Sequence, residues 1–310
     1  MKVMDKKNVI KFVAITYGIA WALQIPSSIF LVNHPGNIGT MVFQAGLALC
    51  MFAPLLAAFF VRKNFRGMGW KPVFKGNIGW LIFSAYVMVP LTTIGGVLFY
   101  MIFPNLFDMS GSVLIAQGQQ NGVDAMAQLE QQGLTYQTYL LISLGSGVLI
   151  APFFNIITAI GEETGWRGYL YPELNKSFSR AKTWIIGGII WAVFHFPAML
   201  IGGYEYGNGY IGRPWLGLLV FTLFCITIGI LEEIVYTRTK CIWYPALLHG
   251  SVNAIATIPQ VFSNANEQEL LSKYAVFGPF GTALVIALPT MIFAVVMGII
   301  VTGRNKEVKA

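Results

Sequence analysis

Charged residues are scarce in this chain: Asp, Glu, Lys and Arg make up 11% of its 310 residues, whereas about a quarter is usual in soluble globular proteins. This scarcity excludes an ordinary soluble domain. Cysteine is scarce too, and Cys50, Cys225 and Cys241 lie in or beside apolar runs, without the spacing of a metal site. We therefore expect three free, buried cysteines with no chemical role.

Apolar residues are abundant, at 56% of the chain, and the mean hydropathy is +0.65. Apolar runs of about 20 residues, long enough to cross about 30 Å of hydrocarbon, recur from end to end. The sequence therefore predicts an all-α polytopic membrane protein, with a single transmembrane domain over 1–310 and about eight transmembrane helices. The predicted spans are roughly 12–32, 39–61, 78–103, 137–160, 183–201, 215–235, 241–258 and 279–301.

The basic residues support this arrangement. When the loops alternate from a cytoplasmic N-terminus, all 20 Lys and Arg residues except Arg213 and Lys273 fall on the cytoplasmic side. This count includes Lys2 and Lys309 near the two termini, and it places Arg167 in a cytoplasmic loop. This asymmetry predicts that the N-terminus and the C-terminus are both cytoplasmic. We expect a multi-pass protein of the cell membrane, in the plasma membrane of a prokaryote. Anionic lipid headgroups account for the net charge of +7, so we expect membrane lipid as a partner and no nucleic acid.

Two adjacent glutamates, Glu162 and Glu163, follow the fourth apolar run. Carboxylates at membrane depth are costly and rare, so this pair is a candidate functional site. Residues four apart share a helical face, which predicts an ion pair between Glu163 and Arg167. Glu162 is turned about 100° around the helix and would be left for chemistry. The alternative is that Glu162 only marks the cytoplasmic end of its span.

Three further polar residues lie in later apolar runs. His195 is in the fifth predicted span, and His249 and Asn253 share one face of the seventh. An imidazole and a carboxamide side by side can donate two hydrogen bonds to one oxyanion. For each residue alone the simpler interpretation is a buried core histidine or an interhelical hydrogen bond. Together with Glu162 they form a complete hydrolytic set.

A second double glutamate, Glu232–Glu233, is in the sixth predicted span. Arg238 follows Glu233 by five residues, which is off the i,i+4 face. We interpret this pair as structural, bound to basic groups near the inner boundary, with a place in the site as the alternative.

These residues carry a resemblance to a known family. Glu162-Glu163-x-x-x-Arg167 is similar to the EExxxR motif of the CPBP (CAAX protease and bacteriocin-processing) intramembrane proteases. His195 resembles the histidine of the second motif, with Trp191 where the family usually has Phe, and His249-x-x-x-Asn253 resembles the third. The resemblance covers about 155–255 and suggests a catalytic core of about 137–258.

The resemblance implies an intramembrane endopeptidase that cleaves a small peptide or a membrane-associated protein. Glu162 and His195 would activate a water, His249 and Asn253 would stabilise the oxyanion, and Glu163 and Arg167 would hold the site. No cofactor would then be required. The alternative is a zinc-dependent version of the same hydrolysis, with Glu162, His195 and His249 as ligands.

Two other classes of function stay open. In a membrane carrier, buried glutamate and histidine would relay protons. In a non-enzymatic immunity protein, the fold would be kept without hydrolysis. The absence of a visible internal repeat argues against the carrier, and the intact set of motifs argues against the loss of activity.

Overall fold

The computed structural model of this protein describes residues 3–307, so Lys2 and Lys309 of the basic-residue count lie outside the described part. Over that part the chain is α-helical and contains no strand. Helices satisfy their own backbone hydrogen bonds, which is what apolar segments in a membrane require. The α-helices are α1 Lys6–Asn33, α2 Asn37–Cys50, α3 Ala53–Arg62, α4 Ile78–Tyr86, α5 Met88–Ile102, α6 Ser112–Gln120, α7 Ala125–Gln131, α8 Tyr136–Leu149, α9 Ala151–Gly165, α10 Tyr171–Leu174, α11 Arg180–Gly202, α12 Trp215–Thr239, α13 Trp243–Ile255, α14 Gln268–Lys273 and α15 Leu284–Glu307.

Seven helical segments of the described chain are long and apolar enough to cross a membrane. The all-α, multi-pass membrane architecture predicted from the sequence is thus confirmed. Some segments combine consecutive helices: α2 with α3, α4 with α5, and α8 through α10. The segments are Lys6–Asn33, Asn37–Arg62, Ile78–Ile102, Tyr136–Leu174, Arg180–Gly202, Trp215–Thr239 and Leu284–Gly303.

The predicted span 241–258 differs from the others, because its helix, α13, has only 13 residues. The helix stops before Pro259, whose ring disfavours helical backbone in the residue ahead of it, and the Ala256 carbonyl accepts from the Gly281 amide. A short 3₁₀ helix, Ile258–Phe262, continues the path.

The short helix nevertheless runs between the two ends of the bundle. At its start, Trp243 Nε1 donates to the Trp70 carbonyl in the loop that precedes α4. Beyond its end, Ser263 pairs with Phe107, in the loop that follows α5. Since α4 and α5 separate those two loops, the segment from 243 to 263 traverses the same distance as its longer neighbours.

Glycines bring α9 close to its neighbours. A Cβ on Gly165 would lie 2.2 Å from Pro54 Cβ of α3, and one on Gly250 of α13 would lie 2.6 Å from the Pro152 carbonyl oxygen of α9. Real Cβ atoms do not approach so closely, so only glycine fits at these contacts. Small residues at helix interfaces allow such close packing in membrane bundles. Helix α9 is therefore held between α3 and α13.

The three cysteines are free and buried, as the sequence predicted. Cys50 ends α2, Cys225 is in the middle of α12, and Cys241 precedes α13. The Cys50 thiol donates to the Leu47 carbonyl at 3.1 Å and accepts from the Gln24 amide at 3.3 Å.

Candidate active site

The double glutamate of α9 lies inside the bundle. Glu162 and Glu163 are fully buried, and the helix does not end there: a π-helical turn, Trp166–Leu170, leads into α10. The interpretation of Glu162 as the end of a span is therefore wrong. Arg167, which the basic-residue count placed in a cytoplasmic loop, is also fully buried in this turn. Its place is set by two buried carboxylates, which compensate the cost of burying a cation.

The predicted ion pair between Glu163 and Arg167 is present, with Arg167 Nη1 at 2.9 Å from Glu163 Oε1. The same oxygen is 2.9 Å from Nδ1 of His249. Glu163 thus links the arginine of its own helix segment to the histidine of α13. Through this carboxylate the first and third sequence motifs are in direct contact.

Glu232 of α12 is the second partner of Arg167: its Oε2 lies 2.5 Å from Arg167 Nη2, and both side chains are fully buried. The sequence interpretation assigned this glutamate to basic groups at the boundary, which is wrong for Glu232 and right for Glu233. Glu233 binds Arg180, with Oε2 2.7 Å from Nη2. The sequence signal for Glu232 was its position in an apolar run, but its partner is 65 residues away and was not deducible from spacing.

Glu162 is held by two indoles. Its Oε2 accepts hydrogen bonds from Trp166 Nε1 at 2.9 Å and from Trp191 Nε1 at 2.6 Å. Trp191 is the aromatic residue four positions before His195, so the second motif supports the carboxylate of the first. The other oxygen, Oε1, is buried without a hydrogen-bond partner in the protein. One face of Glu162 is thus fixed and the other is available.

His195 is buried among aromatic rings. Its imidazole stacks on Tyr204, with ring centroids 5.6 Å apart, and meets the edges of Phe194 and Phe221. Its Nδ1 is buried and has no hydrogen-bond partner in the protein. The aromatic packing fixes the plane of the ring while leaving this nitrogen free to bind a small molecule.

A single cavity of about 60 Å³ brings the predicted catalytic residues together: Glu162, His195, His249 and Asn253 all line it. This volume has room for water molecules, and the cavity is polar enough to hold them. Asn253 is exposed, so it lies where the cavity opens, whereas the other three are buried. Glu163 and Arg167 stand behind this wall, bonded to its residues rather than lining it.

Two further carboxylates also line the cavity: Glu232, for which a place in the site was the alternative interpretation, and Glu205, which sequence reasoning missed. Glu205 lies in the loop between α11 and α12, with a backbone φ of +73°, which is unusual for a residue with a side chain. It accepts a hydrogen bond from the Thr282 hydroxyl. Burial raises the pKa of Glu205 to about 7, against the opposing effect of its hydrogen bonds. No motif in the sequence indicates this residue.

The zinc ligands of the alternative interpretation, Glu162, His195 and His249, are not the group that the structure brings within ligating distance of one another. Within the described residues, the group of potential ligand atoms that meets closely enough is Glu163, Glu232 and His249, all within 4.8 Å of one another. Carboxylates and imidazole are suitable zinc ligands. However, Arg167 already binds both carboxylates, so a metal ion would have to share them with a guanidinium. Glu162 and His195 belong to the cavity instead.

Fold and site together define a multi-pass helical membrane protein with acid–base side chains gathered in one buried cavity. Residues 144–255 match the family model described as type II CAAX prenyl endopeptidase Rce1-like. All three motifs fall inside this segment. The match confirms the resemblance to the CPBP family over 144–255, and the assignment extends no further than this segment.

A curated relative agrees with this assignment. Over 72 residues the chain is 38% identical to CAAX prenyl protease 2 of Methanococcus maripaludis. The aligned part is 22% of this chain and 26% of the relative, so the chain spans about a quarter of the length of the curated relative it matches.

Proposed function

We propose that this protein is an intramembrane endopeptidase that hydrolyses a peptide bond with a water activated by Glu162 and His195. The observation that carries the proposal is the common cavity: Glu162 and His195 both line it, and each has one buried polar atom, Oε1 and Nδ1, without a hydrogen-bond partner in the protein. Positioned acid–base groups of this kind typically contribute 10²–10⁴-fold to a rate.

The residues of the cavity and their partners have separate roles in the proposed reaction. Glu162 Oε1 accepts a proton from the attacking water and passes it to the leaving nitrogen when the C–N bond breaks, while the Trp166 and Trp191 indoles keep Oε2 in place. His249 and Asn253 donate hydrogen bonds to the oxygen that becomes negative as the carbonyl is attacked. Glu163 orients His249 by accepting from Nδ1, and His249 acts as an imidazolium, so that Nε2 carries a second N–H that can donate to the oxyanion. Arg167 compensates the charge of the buried carboxylates.

The substrate is a small peptide or a membrane-associated protein segment. The CAAX prenyl protease 2 relative suggests one test substrate class, prenylated C-terminal peptides; small secreted peptide precursors form the other. Both approach from the membrane, where the cavity lies.

The test is a cleavage assay with the purified protein in detergent or liposomes, using quenched fluorescent peptides of both classes. We expect turnover by the natural sequence and by the control Glu173→Gln, whose carboxylate binds the partly exposed Lys176 outside the cavity. Glu162→Gln should be inactive. If no peptide is cleaved, or if Glu162→Gln cleaves as fast as the control, the proposal is wrong.

A metal-dependent version of the same reaction is the second candidate, because Glu163, Glu232 and His249 could ligate a metal ion. It predicts loss of activity with a chelator, recovery with zinc, and about one equivalent of metal in the purified protein. The metal-free reaction predicts none of these three results.

A further inference from the structure

Glu232 occupies a position in the site that none of the three motifs explains. Arg167 lies between two carboxylates: Nη1 donates to Glu163 Oε1, and Nη2 forms an ion pair with Glu232 Oε2 at 2.5 Å. Its guanidinium also lies against Trp191, 4.5 Å from the ring centroid, and against Tyr171, at 4.9 Å. These four side chains hold the guanidinium in one orientation, and Glu232 supplies the negative charge on one side of it.

Glu163, the carboxylate on the other side of Arg167, also contacts His249. Glu163 Oε1 contacts both Arg167 Nη1 and His249 Nδ1, each at 2.9 Å, while Glu163 Oε2 has no hydrogen-bond partner. An isolated arginine and carboxylate prefer a bidentate arrangement with two parallel hydrogen bonds. Without a charge at Glu232, Arg167 would be free to take both oxygens of Glu163 and to turn that carboxylate away from His249.

We propose that Glu232 is a positioning residue for the reaction: it holds one end of Arg167, so that Glu163 stays bound to His249 and His249 keeps its orientation in the cavity. The inference rests on the proposed function, because the oriented histidine is the oxyanion donor. Glu232 acts through Arg167 and Glu163, and no step of the hydrolysis passes through it.

The chain contains a matched control in the next residue. Glu233 is on the same helix and also buried, but it binds Arg180 and the Trp184 indole, and it does not line the cavity. Glu232→Gln and Glu233→Gln therefore remove the same charge from neighbouring positions, only one of which is connected to His249.

The experiment measures both kinetics and the histidine ring. For Glu232→Gln we expect kcat to fall roughly 10- to 100-fold, the effect typical of a lost orienting partner, with KM within about twofold; Glu233→Gln should keep kcat. Nitrogen-15 NMR of the histidine rings gives a readout independent of activity, since the chain has only three histidines. The His249 Nδ1 signal should shift in Glu232→Gln and stay in place in Glu233→Gln.

Glu232→Asp keeps the charge on a shorter side chain and should give an intermediate kcat and an intermediate shift; it replaces Glu232→Gln if that variant fails to fold. An unchanged kcat and an unchanged His249 signal in the folded variant overturn the inference. If that happens while Glu162→Gln is inactive, only the role of Glu232 is wrong. If Glu162→Gln is active, the proposed function is wrong, and the NMR signal still decides whether Glu232 orients His249.

Discussion

The two pairs of adjacent glutamates, Glu162–Glu163 on α9 and Glu232–Glu233 on α12, look alike in the sequence and differ in what they bind. In each pair one member contacts Arg167: Glu163 from α9 and Glu232 from α12. The other members have different surroundings. Glu162 binds only neutral indoles and keeps one oxygen free, whereas Glu233 binds Arg180, which is partly exposed.

This difference shows what separates a chemical carboxylate from a structural one in the same bundle. A carboxylate paired with a guanidinium has its charge compensated and its position fixed. A carboxylate held by neutral N–H donors is fixed on one side and can still exchange a proton on the other. By this criterion we propose Glu162 as the chemical member among the four, and the first variant below tests that assignment.

The largest effect is expected for Glu162→Gln against Glu233→Gln. Glutamine keeps the volume and can still accept from the indoles, but it cannot take a proton from water, so kcat should fall by about 10²–10⁴-fold. Glu233→Gln should keep nearly full turnover. Initial rates on the same peptide measure both. Equal rates for the two variants would remove the distinction between the pairs.

The second effect is a loss of folding stability, which should be larger for Glu163→Gln than for Glu233→Gln. Glu163→Gln leaves Arg167 with one buried partner fewer, and breaking such a pair typically costs about 3–5 kcal/mol. Glu233→Gln should cost less, because Arg180 is partly exposed and can be solvated. Thermal unfolding in detergent compares the two. A larger loss of stability in Glu233→Gln would show that the ion pairs of Arg167 contribute less to stability than the pair between Glu233 and Arg180.

A third test extends the comparison to Asn253, which lines the same cavity as Glu162. If Glu162 activates the water, a donor is needed for the developing oxyanion, and Asn253 is placed for it. Asn253→Ala should lower kcat by about 10²–10³-fold with little change in KM. The exposed Asn266, outside the cavity, provides the control Asn266→Ala. A rise in KM with an unchanged kcat would instead assign Asn253 to substrate binding.

The smallest effect concerns Glu205, which, within residues 3–307, makes no ion pair. Its pKa, ordinarily 4.5, is raised to about 7 by burial, so the folded state binds a proton that the unfolded chain releases. Stability should therefore fall as the pH rises from about 4.5 to 7. Relative to the natural protein, Glu205→Gln should gain about 1–2 kcal/mol at pH 8 and little at pH 4.5. A gain that does not depend on pH would contradict this explanation.

Sequence reasoning reached the features that depend on local periodicity. The helical class follows from apolar runs, and the Glu163–Arg167 contact follows from i,i+4 spacing, which is fixed within one helix. The membership of Glu162, His195, His249 and Asn253 in one site came from the family motifs, and the cavity does contain all four. Their chemical roles remain predictions.

The features that depend on packing between helices were not accessible in this way. Glu232 and Arg167 are on different helices, and only the crossing of α12 past the π-helical turn brings them together. Trp191 was noted as a departure from the family pattern, yet it donates the shortest hydrogen bond to Glu162. The short length of α13 could not be predicted from hydropathy. Ala256 and Pro259 do not lower the hydropathy enough to break the apolar run, so the run keeps the length of a membrane span.

The burial of Cys50, Cys225 and Cys241 has a practical consequence for finding which side each loop faces. Thiol reagents should not reach them in the folded protein, so an introduced cysteine can be labelled against a silent natural background, with no need to remove the native ones. Lys75 and Gln119 are both exposed: Lys75 lies in the loop before α4, and Gln119 lies in α6, in the connection that follows α5. An impermeant maleimide added to intact cells should label a cysteine at 119 at once and one at 75 only after the membrane is opened.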